Sequence, residues 1–223
     1  MMDFTHPTLL NKVGWAAPTK FVGCVPRTII YGHDMPEYRR PKTAGGTYFF
    51  TVVTYCRQPI LTSEVMRHSL REGIIRAQRT LPFKIEAWVL LPDHLHCIWT
   101  LPEDDANFSS RWAIIKRHVS KEANEIHLVR ETHPARPALS DSRLKRKETT
   151  IWQRRFWEHL IRDETDFRRH LDYIHWNPVK HGYVSLAADW SFSTFHRFAK
   201  DGLYPKDCGG DVAADKVNFD YGE

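Results

Sequence analysis

An α+β fold, with two helices packed on one face of an antiparallel sheet, is predicted by three features of the amino-acid sequence. The run TYFFTVVTY at 47–55 is rich in aromatic and β-branched residues, follows Gly45-Gly46, and reads as a strand. Two further apolar runs, 83–91 and 94–101, flank Pro92-Asp93 and read as two strands joined at a tight corner. Between and after these strands, apolar residues recur at helical spacing.

Each element follows in order. Ser63 to Thr80 carries Val65, Leu70, Ile74 and Ala77 at near-helical spacing, with Ser63 placed to cap. After Leu81-Pro82 the second strand runs from Phe83 to Leu91 and the third from His94 to Leu101. Ser109 or Ser110 caps the next helix, where Trp112, Ile115, Val119, Ala123 and Ile126 form an apolar stripe opposite Arg117 and Lys121. Ile151 to Ile161, IWQRRFWEHLI, reads as the fourth strand. Its interleaved aromatic and basic residues suit base stacking beside phosphates, or burial of Trp152, Phe156 and Trp157 in the core. Strand, helix, strand, strand, helix, strand is the ferredoxin-like order. A helix from Asp163 to about Asn177, stopped by Pro178, is added to it, and a short helix is expected within Trp190 to Ala199.

At 223 residues the chain suits one domain, over about 41–200. Residues 1–40 lack either period and read as an irregular arm, within which Met35 is an alternative start; 201–223 read as a tail. Residues 128–150 lose all periodicity and crowd Arg143, Lys145, Arg146 and Lys147 together, a flexible basic insertion that either follows a phosphate backbone or is simply solvated. A formal charge of +5 favours a polyanionic partner without naming it. Four cysteines with no C-x-x-C pair argue against a thiolate zinc site or a disulfide framework and fit a reducing, cytoplasmic setting. No apolar run reaches membrane-spanning length, and the first residues lack the order of a signal peptide.

The chemistry centres on LPDHLHC at 91–97. Side chains alternate along a strand, so His94 and His96 point the same way, roughly 7 Å apart along the backbone. That spacing lets two imidazoles hold one divalent ion with coordination positions left for a substrate oxygen, of which phosphate is the commonest kind. Such pairs taken alone are more often structural, so the motif needs a partner elsewhere. The helix from Asp163 offers one. At about 100° per residue, Phe167, Leu171, Ile174 and Pro178 form its buried stripe, while His170, Tyr173 and Asn177 form a second row along its rim. Asn177 can present an amide oxygen to a metal on the face that carries Tyr173.

LPDHLHCIW, WQRRFWEHLIRDE and DYIHWNPVKHG, in that order, resemble the motifs of the REP-associated tyrosine transposases, relatives of the single-tyrosine HUH transposases of small insertion sequences. The resemblance spans roughly 35–211; the arm before Met35 and the basic insertion are absent from the shortest versions of the pattern. It implies a ferredoxin-like fold, a divalent metal on His94 and His96 with Asn177 completing the shell, and Tyr173 as nucleophile. Magnesium or manganese is the expected ion, with zinc less favoured. The implied substrate is single-stranded DNA carrying palindromic repeat hairpins beside a short guide tetranucleotide, cleaved and rejoined through a 5′-phosphotyrosine. His170 is then either a helper base or a structural hydrogen-bonding group. Arg111, Lys121, Arg155 and Lys180 are expected to contact DNA phosphates, in a monomer or homodimer that is cytoplasmic and nucleoid-associated when bound. Three other readings remain: a hairpin-binding protein without catalysis, a metal-dependent phosphodiesterase using water, and a replication-type nickase.

Overall fold

A computed structural model describes residues 42–125 and 151–204. Its four strands are β1 (Thr47–Val53), β2 (Lys84–Leu90), β3 (His94–Thr100) and β4 (Trp157–Leu160), antiparallel in the order β2-β3-β1-β4. Helices α1 (Glu64–Thr80) and α2 (Phe108–Glu125) cover one face; α3 (Glu164–Lys180) and the short α4 (Phe195–Lys200) cover the other. The α+β, ferredoxin-like expectation therefore holds, with the added helix on the opposite face.

Alternation of side chains explains the two layers. Along β1, Tyr48, Phe50 and Val52 face α1 and α2, whereas Phe49 faces α3. Along β3, Leu95, Cys97 and Trp99 face the first layer and Ile98 the second. By the same period, His94 and His96 open toward α3. The first layer is an aromatic core in which Trp99 stacks on Trp112 at 4.3 Å and touches Phe83 at 4.2 Å. Gly73 lets α1 approach α2 closely, since a Cβ there would lie 3.3 Å from the Ile115 carbonyl oxygen.

Several boundaries differ from the sequence reading. Ser63 sits at the N-cap of α1, but its hydroxyl donates to the Ile60 carbonyl (2.8 Å) instead of capping. Asn107, not Ser109 or Ser110, receives the Ser110 amide (3.1 Å) at the start of α2, so both serines are helical. Among the expected stripe residues, Trp112, Ile115, Val119 and Ala123 are buried, and Ile126 lies outside the described residues. The fourth strand is confined to Trp157–Leu160. Before it, Trp152 bridges Thr54 and the Gln153 amide still donates to the Val53 carbonyl (3.0 Å), and the chain leaves the ladder over the next residues, Arg154–Phe156. Trp152 and Phe156 pack in the first layer and Trp157 against the second, as burial of these rings predicts.

Pro178 does not end α3. It sits in the last turn, where only the bond to the Ile174 carbonyl is forgone, and the helix continues to Lys180. Gly182 ends it: its φ is 71°, its amide donates to the Val179 carbonyl (2.9 Å), and the Tyr183 amide donates to the Pro178 carbonyl (3.0 Å). This is a Schellman stop, in which glycine occupies the left-handed position at no steric cost. The expected helix over Trp190 to Ala199 is shortened, because Phe192–Thr194 instead runs along the edge of β2. There the Leu90 amide donates to the Phe192 carbonyl and the Thr194 amide to the Trp88 carbonyl, both at 2.9 Å. Leu203 and Tyr204 pack into the second layer, so the expected tail does not begin at 201. The arm at 1–40, the insertion at 128–150 and the rest of the tail lie outside the described residues.

Candidate active site

The corner between β2 and β3 is held from the segment that follows β1. The Thr54 amide and hydroxyl both donate to the Asp93 carbonyl (2.8 and 2.9 Å), and the Leu61 amide donates to the Pro92 carbonyl (2.8 Å). Cys56 and Arg57 adopt left-handed φ values of 52° and 49°, unusual for non-glycine residues. This turn delivers the Arg57 guanidinium to Asp93 Oδ2 at 2.9 Å.

Both histidine rings are fixed through Nδ1. His94 Nδ1 lies 2.7 Å from Asp93 Oδ1. Burial alone would push the Asp93 carboxyl up, but the hydrogen bond and charge of His94, followed by those of Arg57, bring it down to about 2. An ionised carboxylate only accepts, so the proton of that bond belongs to His94 Nδ1, and Nε2 is the ring nitrogen turned away from Asp93. His96 Nδ1 lies 3.0 Å from the Thr51 hydroxyl, its cross-strand partner in the β1–β3 register, which accepts from it equally well. Burial, then the charges of His94 and Lys180, push His96 well below the usual histidine range and keep it neutral. The ring centroids are 4.9 Å apart. His94 Nε2 is a buried nitrogen with no hydrogen bond, an orphan that a bound cation would satisfy. Neutral imidazoles locked through the far nitrogen are the usual form of histidine metal ligands.

Helix α3 starts at an Asp163 cap that accepts the Asp166 amide at 2.8 Å, and it lies over this pair because Leu171, Tyr173 and Ile174 pack with Phe49, Val89 and Ile98 of the sheet. Tyr173 meets the His96 ring edge-on at 5.1 Å, and His181, just past the helix end, meets the His94 ring at 5.1 Å. Asn177 stands four residues from each, on the same face, and is fully buried at 0 % exposure. The second row is not a rim, since Tyr173 is only 2 % exposed and His170 is buried as well. Segment 187–204 packs on the outer side of α3, with Phe198 and Tyr204 against His175, so the helix is covered from both sides. Phe167 in the expected buried stripe is only partly buried.

Lys180 reaches back two turns along α3. Its Nζ donates to the Tyr173 hydroxyl at 3.2 Å and lies 4.8 Å from the centre of the same ring. Burial, with Arg57 adding to it, lowers this ammonium to about 8. Burial, then the charges of His94 and Lys180, lowers His181 to about 4.

His170 belongs to a separate cluster. Its Nδ1 donates to the Asp166 carbonyl (2.8 Å), its ring stacks on His159 at 4.6 Å, and His159 Nε2 lies 2.8 Å from Asp166 Oδ2. Ligand atoms of His159, Asp166 and His170 lie within 4.8 Å of one another, so this group is a second place that can accept a cation. Asp166 Oδ2 is already shared by His159 and by the Arg162 amide and guanidinium (both 3.1 Å), which fits a hydrogen-bonded junction between β4 and α3. Phe49 links the two centres, touching His170 at 4.8 Å and His96 at 5.4 Å.

The other basic positions fall apart spatially. Arg111 is corrected to a structural role: it is 0 % exposed and donates to the carbonyls of Leu81 (3.2 Å), Pro82 and Asn107 (2.9 Å) and to Asp105 (2.7 Å). Lys121 is exposed on α2, on the sheet face away from the histidines, and Arg155 is exposed just before β4. Asp93, Thr51, Arg57 and His181 all touch the site, and sequence reading singled out none of them.

No family model matches the chain. A REP-associated tyrosine transposase of Escherichia coli (strain K12) is 48% identical over 190 residues, spanning 85% of this chain and 98% of that protein. A protein named for the same family in Haemophilus influenzae is 42% identical over 176 residues, 79% of this chain and 94% of its own length. A solved structure of a REP-associated tyrosine transposase bound to a REP hairpin aligns with a TM-score of 0.64 at 46% identity, over 85% of this chain and 98% of that one. With identity of this level over most of both chains, and the fold in agreement, the chain belongs to the REP-associated tyrosine transposases.

Proposed function

We propose that this protein cleaves and rejoins single-stranded DNA at repeat hairpins, with Tyr173 as nucleophile and a divalent cation held by His94, His96 and Asn177. The packing of the Tyr173 phenol on His96, with both imidazoles oriented through Nδ1, is the observation that carries the reading. The donor set, two imidazole nitrogens and an amide oxygen, suits magnesium or manganese that keeps positions for phosphate oxygen and water. When bound, such an ion polarises the scissile phosphate and offsets charge developing there. The relative solved with a REP hairpin supports a hairpin substrate for this chain too.

The residues divide the work. The Tyr173 oxygen attacks a backbone phosphorus, leaving a 5′-phosphotyrosine and a free 3′-hydroxyl; rejoining is the reverse with a new 3′-hydroxyl. The phosphotyrosine keeps the phosphodiester's energy, so no nucleotide hydrolysis is required. A phenol with the ordinary pKa of about 10 costs about 4 kcal/mol to ionise at pH 7, which the site must offset. Asp93 holds a proton on His94 Nδ1, Thr51 orients the His96 ring through its Nδ1, and the burial of Tyr173 against Phe49 and His96 keeps bulk water from the phenol. Exposed Arg155, and Lys121 at a greater remove, supply phosphate contacts along the bound strand. His170 serves this scheme by fixing β4 to α3. One chain or a homodimer can present the site.

The test is a labelled hairpin with its natural flanks, incubated with Mg²⁺ or Mn²⁺ and run on a denaturing gel. A covalent protein–DNA band that requires metal and vanishes in Tyr173→Phe is expected. Cleavage that survives Tyr173→Phe would instead identify a phosphodiesterase using water. Tight binding without cleavage would identify a hairpin-binding protein.

A further inference from the structure

We propose that Lys180 is a catalytic residue: its ammonium group receives the negative charge that the Tyr173 oxygen carries when the phosphotyrosine bond forms and when it breaks. The inference rests on the reading of Tyr173 as nucleophile and goes beyond it by assigning the group that stabilises the phenolate.

The geometry comes from the way α3 ends. Residues seven apart lie two turns away on nearly the same face, and helix side chains lean toward the N-terminus, so an extended lysine at 180 reaches back to residue 173. This works only because the helix runs through Pro178 to Lys180 before Gly182 stops it. The same Nζ makes two contacts with Tyr173, a hydrogen bond to the hydroxyl at 3.2 Å and a position over the ring at 4.8 Å. A lysine that served only as a phosphate anchor would have no need of the phenol.

In cleavage, the Tyr173 Oη–P bond forms and the P–O3′ bond breaks; the phenolic proton passes to water and the departing 3′ oxygen takes one from water. In rejoining, a 3′-hydroxyl attacks the phosphorus, its proton goes to water, and the electron pair of the P–Oη bond returns to Oη as phenolate, which then takes up a proton. The ammonium touches the atom that carries the charge in both directions. Fixed in a partly buried site, it acts without reorganising solvent, the situation in which a single donor matters most. A phosphate joined to Oη also brings its non-bridging oxygens within reach of the same group.

The test measures hairpin affinity and single-turnover adduct formation and rejoining for wild type, Lys180→Met, Lys180→Arg and Lys180→Ala. Lys180→Met is expected to bind the hairpin within about threefold of wild type while adduct formation slows by about 100-fold, the usual loss when one charge-stabilising donor is removed. Lys180→Arg is expected to retain most of the rate. Added methylammonium should partly restore Lys180→Ala, whereas the same concentration of sodium ion should not, a rescue that a merely structural lysine would not show. Retained hairpin binding certifies that each variant is folded. Adduct formation at the wild-type rate in Lys180→Met overturns the proposal, and so does a loss confined to hairpin affinity. Wild type that gives no adduct on its own hairpin overturns the nucleophile assignment itself, a result distinguishable from either.

Discussion

Asp93 Oδ1 lies 2.7 Å from His94 Nδ1, while Arg57 holds the other carboxylate oxygen at 2.9 Å. The pair sets the tautomer of a metal-ligand candidate from the residue immediately before it in sequence. Replacing Asp93 with Asn keeps the shape but removes the charge that fixes the proton on Nδ1. Mn²⁺ affinity, measured by calorimetry, is expected to fall by roughly 10–100-fold, as is usual for a partner that orients a ligand. Unchanged affinity would mean that the backbone bonds at Thr54 and Leu61 suffice to orient His94.

Thr51 acts on His96 across the sheet. Thr51→Val keeps the β-branched shape that β1 requires and removes only the hydroxyl facing His96 Nδ1. The expected result is weaker Mn²⁺ binding and a stability loss of about 1–3 kcal/mol, the penalty for a buried nitrogen left without its partner. Chemical denaturation with and without Mn²⁺ separates the two effects.

The two cation-accepting groups make different predictions. If His94, His96 and Asn177 hold the ion, His96→Ala abolishes Mn²⁺ binding and His159→Gln leaves it within a few-fold of wild type. Electron paramagnetic resonance of bound Mn²⁺ in the two variants reads this directly. The opposite pattern would move the metal to the His159, Asp166 and His170 cluster.

Much of this was legible in sequence, and the reasons for the gaps are physical. The first three strands were readable because alternation and the Pro92-Asp93 corner fix them, and α3 was readable from its apolar period. Pro178 reads as a stop because a proline forbids one helical bond, yet near a helix end that bond matters little, and the true stop is the glycine of His181-Gly182. Ending α3 three residues early hides the reach of Lys180 to Tyr173. Thr51 is invisible because its role depends on strand register across 45 residues. Arg57 is invisible because nothing in Cys56-Arg57 signals a left-handed turn. The burial of Tyr173 depends on Phe49 of β1 and His96 of β3, whose packing against α3 has no local signature.

Buried neutral histidines predict the acid limb of stability. His170 is lowered to about 4 by burial, against an ordinary value of about 6.5, so between these values the unfolded chain binds a proton that the folded chain refuses. Stability is therefore full above pH 6.5 and declines as pH falls toward 4, by about 3 kcal/mol from this group. Asp93 and Asp166, both lowered to about 2, add a further loss only below the ordinary carboxylate range. Thermal melts of metal-free protein at pH 7, 5.5 and 4.5 should show the decline. His170→Gln should flatten its slope between pH 6.5 and 4, whatever that variant does to the melting temperature at pH 7.

Gly182 offers a test of the helix end that leaves every site side chain in place. Its φ of 71° puts it in the left-handed region, and no heavy atom lies within 4 Å of where a Cβ would stand, so the effect of a substitution is one of backbone conformation without collision. Gly182→Ala is expected to cost about 1 kcal/mol, and a β-branched Gly182→Val more, since left-handed backbone penalises such residues by roughly 1–2 kcal/mol. The Schellman bonds from Gly182 and Tyr183 to Val179 and Pro178 hold the final turn that carries Lys180. Gly182→Val should therefore slow adduct formation more than it weakens hairpin binding, in the same sense as Lys180→Met. Combined with Lys180→Met it should add little further loss, because residues acting through one structural unit are not additive. Full additivity in that double-variant cycle would separate the helix end from the nucleophile and leave Gly182 a role in stability alone.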